Sequence, residues 1–454
     1  MNRGTLATLA GALAATSLLV ASCTPTIDDG TGGGGEGESS TDALTQEQID
    51  EAMNTPTTIV FWSWVPDIQN QVDMFEEKYP NITVQYENVG RGDVHYQKMR
   101  SAMQAGSGAP DVTHMEYQYL PSFQNDLMDL TPYGGAELED EFVPTIWQQV
   151  AVNDQVLGMP LDFAPMGNLY RTDVLAAAGV EVPTTWEEYA SAAQTIKDTT
   201  GNYISNMPGN DPGQFVGLLW QAGVKPFGYD GAETVTIDLV NDRSIEVVDY
   251  WNELIQADLV DTKPDFTDEW YRNFTTGMYA GWLAAAWSPD ILESSAADSA
   301  GLWAAAPLPQ WDADAPASAF WGGSANSVLN STENPIVAAE FVKFLGTDKE
   351  ATFAMATDQG LYPPGLQTLN DPAFADFQNE FFAGQELNKL FGEIGETVDS
   401  DFQWLPFMDY VYSSYNDTLG TAIAERSDLA TGLQAWQDAV VAYAQDQGFT
   451  VATG

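Results

Sequence analysis

"TTIVFWSWVPDIQNQVDMFEEKYPNITVQYENV" occupies residues 57–89, and its changes of hydrophobic period decide the fold. Residues 57–64 are β-branched and aromatic, follow Pro56, and predict a buried strand. Ile68, Val72, Phe75 and Tyr79 then recur at helical spacing, and Pro80 stops that helix. Ile82, Val84 and Tyr86 alternate as in a second strand. A helical stretch from His95 is closed by Gly106, and residues 111–117 read as a third short strand. Strand, helix, strand, helix, strand is the order of an α/β protein with a mostly parallel sheet and helices on its faces.

The same logic continues downstream. Thr185, with Glu188 three residues on, predicts a capping box for a helix that places Trp186, Tyr189, Ala193 and Ile196 on one face. Residues 244–260 form another amphipathic pattern. Residues 277–287 and 301–309 read as strands. Asn334 followed by Pro335 predicts a helix start, and Gly346 its end. The last helix spans 428–446, with Leu429, Leu433, Trp436, Val440 and Tyr443 in one stripe. No tandem repeat is visible.

Composition excludes several functions. The 454-residue chain carries 66 acidic side chains against 15 Lys plus Arg, a formal charge of −51. No basic patch of the size nucleic acid requires can be built from that balance, and electrostatic attraction to an anionic lipid surface is excluded as well. The acids are dispersed, so they predict a solvated surface suited to a saline or alkaline exterior. There are two histidines, His95 and His114, outside any ligand-spaced set, and one cysteine, Cys23. A histidine triad, a zinc site or a thiol nucleophile is therefore not expected, nor is any metal or cofactor. The glycine run at 30–37 lacks the strand, the helix and the Lys-Ser/Thr of a phosphate cradle. Among so many carboxylates, a glycosidase-like pair would arise by chance.

Cys23 follows a leader-like segment. Arg3 is the only charged residue before it, and Leu6 to Val20 holds only small or apolar residues with Thr and Ser. That run is shorter than the ~20 apolar residues of a spanning helix. Val20-Ala21-Ser22-Cys23 resembles the lipobox of bacterial lipoproteins, in which cleavage leaves a lipidated cysteine at the amino terminus. An ordinary secretory signal with an incidental cysteine is the alternative. The Gly-, Ser- and acid-rich stretch that follows cannot bury a core and reads as a tether. The expected division is 1–22 signal peptide, 23–55 lipidated cysteine and tether, then the folded part. The working part is thereby expected on the extracellular face of the cell membrane.

Aromatic side chains beside Gly, Pro or Asp recur at predicted strand ends: Trp64, Tyr117, Trp220, Trp287, Trp321, Tyr362 and Trp404, with Glu116 and Asp162 nearby. Ligands of open α/β sheets bind beyond the carboxyl ends of strands. Aromatic faces cover the C–H face of a sugar ring while carboxylates accept from its hydroxyls. Packing in the core is the alternative for each aromatic taken singly.

These residues carry a resemblance. "FEEKYPNITV" (75–84), "MQAGSGAPDVTHMEYQYLPSF" (103–123), "VLGMPLDFAPMGNLYRTDVLAAAGVEVPTTWEEY" (156–189), "GMYAGWLAAAWSP" (277–289) and "NPIVAAEFVKFLGTDKEATFAMATDQGLYPP" (334–364) occur in the order found in extracellular solute-binding proteins of carbohydrate ABC importers, the group that includes maltodextrin-binding protein. The resemblance implies a two-lobed periplasmic-binding-protein-like α/β fold, each lobe a mostly parallel sheet flanked by helices, with the ligand cleft at the hinge. It implies lobe one from 56–162 plus 321–366 and lobe two from 163–320 plus 367–454, with crossings near Asp162–Pro165, Ala315–Phe320 and Leu366–Asp371. The implied function is capture of a di- or oligosaccharide and its delivery, by a monomer, to permease subunits served by a separate ATPase. Trp64 stands where the family places a polar sugar contact. Met115–Gln118 matches a segment that holds a Trp and an Asp in maltodextrin binders; Met115 and Gln118 stand in those places here, so the neighbouring Glu116 and Tyr117 are taken as their substitutes. Asp162 lies at the first crossing. Trp287 matches the tryptophan of an N-G-P-W motif, written A-A-A-W in this chain. Trp321, Gly322 and Gly323 match the segment returning to lobe one, and Trp404 a region with an aromatic platform. The rival readings are a secreted glycan-active hydrolase, a same-fold binder of glycerol phosphate or another solute, and a purely structural surface lipoprotein. A phosphate ligand would call on Arg91, Lys98, Arg171 or Arg272, the basic residues near strand ends.

Overall fold

The computed structural model describes residues 44–152 and 154–452, so Cys23 and the leader lie outside the described residues. Helix α1 (Gln46–Asn54) begins where a tether was expected. Thr45 caps it through a reciprocal box with Gln48, and Met53 is buried, which is why these last residues of the 23–55 segment are helical.

Strand β1 (Thr57–Trp62), helix α2 (Gln69–Lys78), β2 (Ile82–Glu87), α3 (Asp93–Ala105) and β3 (Val112–Glu116) follow in the expected alternation. β1 runs parallel to both β2 and β3. The chain then passes β4 (Met159–Asp162), β5 (Met166–Arg171), α4 (Trp186–Thr200), α5 (Pro212–Gln221), α6 (Asp242–Gln256), α7 (Asp268–Thr276), β6 (Gly281–Ala285), β7 (Trp303–Pro307) and β8 (Ser324–Val328). β8 inserts antiparallel between β3 and β4, giving the order β2-β1-β3-β8-β4. Helix α8 (Pro335–Thr347) covers this sheet. Its Phe341 ring lies 5.1 Å from Phe61 of β1 and 4.9 Å from Phe75 of α2.

The second sheet corrects the expectation of parallel pairing in both halves. β5 is its centre, and β6 and β7 both run antiparallel to it. The two outer strands come from positions more than a hundred residues downstream of β5, so no local βαβ crossover sets their direction. Helix α9 (Leu387–Gly395) packs on β5 and β7. A small sheet of Phe227–Tyr229, Thr234–Ile237 and Thr450–Ala452 lies beside α10 (Met408–Asp417) and α11 (Leu429–Asp446), with the ring of Phe407 5.4 Å from Phe449. At α4 the cap differs slightly from the expected box. Thr185 accepts from the Glu188 N–H, while the Glu188 carboxylate reaches back to Thr184 rather than to Thr185.

The segments linking the two sheets lie side by side. Met166 N–H donates to the Ala319 carbonyl at 2.9 Å, Trp321 N–H to Ala164 at 3.0 Å, and Phe163 N–H to Tyr362 at 3.1 Å. Two further contacts bridge the elements around the two sheets: Gln124 Nε2 donates to Tyr229 Oη at 3.0 Å, and Arg100 pairs with Asp409 at 3.1 Å.

Gly209, ahead of α5, and Gly420 meet backbone to backbone. A Cβ on either one would collide with the other's carbonyl oxygen. Gly420→Ala is therefore expected to lower stability by about 1–3 kcal/mol, as overpacking does. A urea unfolding midpoint equal to that of the parent chain would show that the contact can relax.

Candidate ligand-binding site

The site is built at the carboxyl ends of β1, β3 and β4 and at the start of β8. Trp64 stands two residues beyond β1 and is half-buried. Its ring stacks on His114 with centroids 4.0 Å apart, and His95 meets it edge-on at 4.8 Å. Burial lowers the His114 pKa to about 3 and, with help from Lys98, that of His95 to about 4. Both imidazoles are thus neutral at pH 7 and act as an uncharged bed for the indole. Among the described residues neither histidine belongs to a group of three or more His, Cys, Asp or Glu side chains that could hold a metal. His95 Nε2 lies 2.9 Å from Thr113 Oγ1 and His114 Nδ1 3.4 Å from Ser63 Oγ.

Glu116 ends β3. The buried Tyr96 hydroxyl donates to its Oε2 at 3.1 Å and accepts from its N–H at 3.0 Å, which fixes the carboxylate. Tyr117 is buried and donates its hydroxyl to the Asp162 carbonyl at 2.9 Å. Its ring edge lies against Gly323, where a Cβ would be 2.8 Å from Tyr117 Cε2. Gly323 also has φ +101°, so the returning segment admits only glycine at this point. Ser324, first in β8, donates its hydroxyl to the Asp162 carboxylate. Burial nevertheless pushes Asp162 up to about 6, because the hydroxyl and N–H of Ser324 only partly offset desolvation.

Trp287 and Trp321 form an aromatic corner above these groups. Trp287 Nε1–H donates to the Trp321 carbonyl at 2.8 Å, and the rings meet at 4.9 Å and 74°. Trp321 is largely buried and its indole edge reaches the first turn of α5, where a Cβ on Gly213 would be 2.7 Å from Nε1. Trp287 is half-buried, and a Cβ on the exposed Gly322 would lie 3.6 Å from its Nε1. Trp404 lies at a separate rim, donating to Gln149 at 2.9 Å. With Tyr117 and Tyr229 it lines a concavity of about 180 Å³.

Two expected residues sit elsewhere. Trp220 is not at a strand end but near the end of α5, 2% exposed, with its face stacked on Phe402 at 4.1 Å and its N–H spent on the Asp399 carbonyl. It is a core residue. Tyr362 is buried, donates to the Asn388 carbonyl, and lines a different cavity with Asp290, Phe374 and Phe391. Residues outside the expected set join the site instead. Asp211 caps α5 and faces Asp265, whose carboxylate accepts from Asn210 at 2.7 Å. Burial, reinforced by the Asp265 charge, raises the Asp211 pKa. Burial raises Tyr412 well above its ordinary value, and the nearby Tyr119, Asp211 and Glu116 add to it. Glu116 and Asp211, from distant parts of the chain, thus flank one phenol. The sequence signal that could find Asp211 is its place before Pro212, a helix-cap pattern, whereas Tyr412 carries none.

The basic residues are mostly engaged away from this surface. Lys98 lies over Trp62, Arg100 pairs with Asp409, and Arg171 is buried between Asp173 and the Phe274 carbonyl. Arg91 is close enough to Tyr271 to act on its pKa, and Arg272 is exposed.

A sequence profile described as "Bacterial extracellular solute-binding protein" matches residues 54–352. An arabinooligosaccharide-binding protein of Halalkalibacterium halodurans is 25% identical over 394 residues, which covers 82% of this chain and 86% of that protein. Among solved structures, an ABC-transporter-associated binding protein of B. animalis subsp. lactis, in complex with β-1,6-galactobiose, superposes with TM-score 0.76 at 29% identity, covering 88% of this chain and all of that one (100%). The galacto-N-biose-/lacto-N-biose I-binding protein of Bifidobacterium longum shares the fold with TM-score 0.77 at 23% identity, covering 87% and 98%. The fold is the two-lobed one of these proteins.

The raised Asp162 pKa gives a signed expectation. The folded state holds the proton more tightly than an unfolded aspartate near 3.8, so Asp162 should contribute less stability as pH rises from about 4 to about 6, with no further change above. Unfolding free energies of the parent chain and Asp162→Asn across this range should converge or cross in that window. A pH-independent difference would contradict the assignment.

Proposed function

The chain belongs to the bacterial extracellular solute-binding protein family, and on that premise we propose that it captures a di- or oligosaccharide for an ABC importer. The Trp287–Trp321 corner carries this reading. Two indoles at 74° offer one face for a sugar ring and a wall beside it, with Asp162, Glu116 and Asp211 near enough to accept hydroxyl protons. Trp64, Tyr117, Gly322, Gly323 and Trp404 complete the assigned surface, whereas Trp220 and Tyr362 are left out of it.

Lobe one comprises 56–162 plus 321–366 and lobe two 163–320 plus 367–454. The hydrogen bonds at Phe163, Met166 and Trp321 support this division, since they tie the first two of its three crossing segments side by side. Saccharide binds one lobe first. The second lobe closes and adds its own contacts, so ligand stabilises the closed form in proportion to the contacts it makes only there. Gln124–Tyr229 and Arg100–Asp409 close the rim. The closed monomer then docks on the permease, and a separate ATPase drives release. Binding without turnover suffices for this role. The scarcity of free cations near the corner disfavours a phosphate ligand.

A hundredfold excess of ligand over its dissociation constant should stabilise the fold by about 2.7 kcal/mol, a readable thermal shift. The shift with saccharides is expected to vanish in Trp287→Ala, and calorimetry on the same pair supplies the affinities. A response to glycerol phosphate alone would overturn the assignment.

Anchoring is proposed through Cys23, with residues 1–22 removed, on the outer face of the membrane. Cys23→Ser should release the protein from the membrane fraction and abolish incorporation of labelled fatty acid. Unchanged fractionation would refute the anchor.

A further inference from the structure

Phe266, ahead of α7, has no place in the assigned surface, yet three observations single it out. Its φ is +54°, a left-handed conformation that a bulky side chain rarely adopts and that costs energy to hold. Its side chain is 42% exposed in a chain where almost every other aromatic ring is covered. The ring lies 6.3 Å from Trp287, tilted by 37°, and 5.1 Å from Trp270.

The preceding residue adds a polar partner. Asp265 is only 4% exposed, and no N–H or hydroxyl group donates to its Oδ2, the Asp211 carboxyl being its hydrogen-bonding neighbour. Its other oxygen is taken by Asn210, and its own N–H donates to the Asn210 side-chain carbonyl at 3.2 Å. Asp211 faces the same carboxylate. A buried carboxyl pair beside an exposed aromatic face is complementary to a ring that presents an apolar C–H face and hydroxyl groups.

We infer that Phe266, together with Asp265 and Asp211, forms an outer subsite for a second sugar ring, next to the ring held at Trp287. This deepens the proposed function and rests on it. Phe266 binds by stacking and Asp265 by accepting a hydroxyl. The subsite sets the minimum ligand length at two rings, and a monosaccharide engages the Trp287 corner alone.

The test is calorimetry on the full-length chain with galactose, lactose, β-1,6-galactobiose and arabinotriose as probes. Phe266→Gly removes the ring and relieves the positive φ. The melting temperature should be unchanged or higher, while affinity for the bound di- or trisaccharide drops at least tenfold and any galactose binding is unmoved. Phe266→Trp should restore most of the lost affinity, which a merely structural ring would not. Equal affinity of Phe266→Gly and the parent chain for the longer probes would overturn the subsite and leave the saccharide assignment standing. So would an equal loss for galactose. If the parent chain binds none of these probes and no other saccharide, both readings fall together.

Discussion

Trp321 is tied at both ends, and the site depends on it. Its N–H is held by the Ala164 carbonyl across two crossing segments, and its own carbonyl receives the Trp287 indole. The backbone that joins the two sheets is thus the same backbone that positions the aromatic corner. Gly322 and Gly323 follow at once, with positive φ, and let the chain turn beneath Tyr117 into β8. Any displacement of these linking segments is coupled through these bonds to the aromatic corner.

Charge is arranged in a consistent way. The chain is strongly acidic, yet the bed beneath Trp64 is kept neutral by burying two histidines away from water. Carboxylates at the corner are half-buried and pushed toward the protonated form. Polar groups with reduced charge, next to flat apolar rings, suit a neutral polyhydroxylated ligand better than an ionic one.

Much of the fold was legible because the signals were local. The change from strand to helical to strand period over residues 57–89 corresponds to β1, α2 and β2. The directions of β6 and β7 were not legible, since pairing with β5 is set by contacts far apart in sequence. Short apolar runs also hid Trp220. "GLLWQAG" reads as a strand end, but Asp211 and Pro212 start a helix, and its inward face buries the indole. In the site, aromatics flagged themselves at Trp64, Trp287 and Trp321. Asp211 and Asp265 did not, because among 66 acids no spacing distinguishes two that the fold brings together. Phe266 becomes notable only in the structure, through its backbone conformation, its exposure and its place beside Trp287.

The central claim is that saccharide bridges two lobes and holds them closed. Small-angle X-ray scattering on the chain, alone and saturated with the saccharide that gives the largest thermal shift, tests it directly. A smaller radius of gyration is expected with ligand, and no such change in Trp287→Ala at the same ligand concentration. A radius unaltered at calorimetrically proven saturation would contradict it.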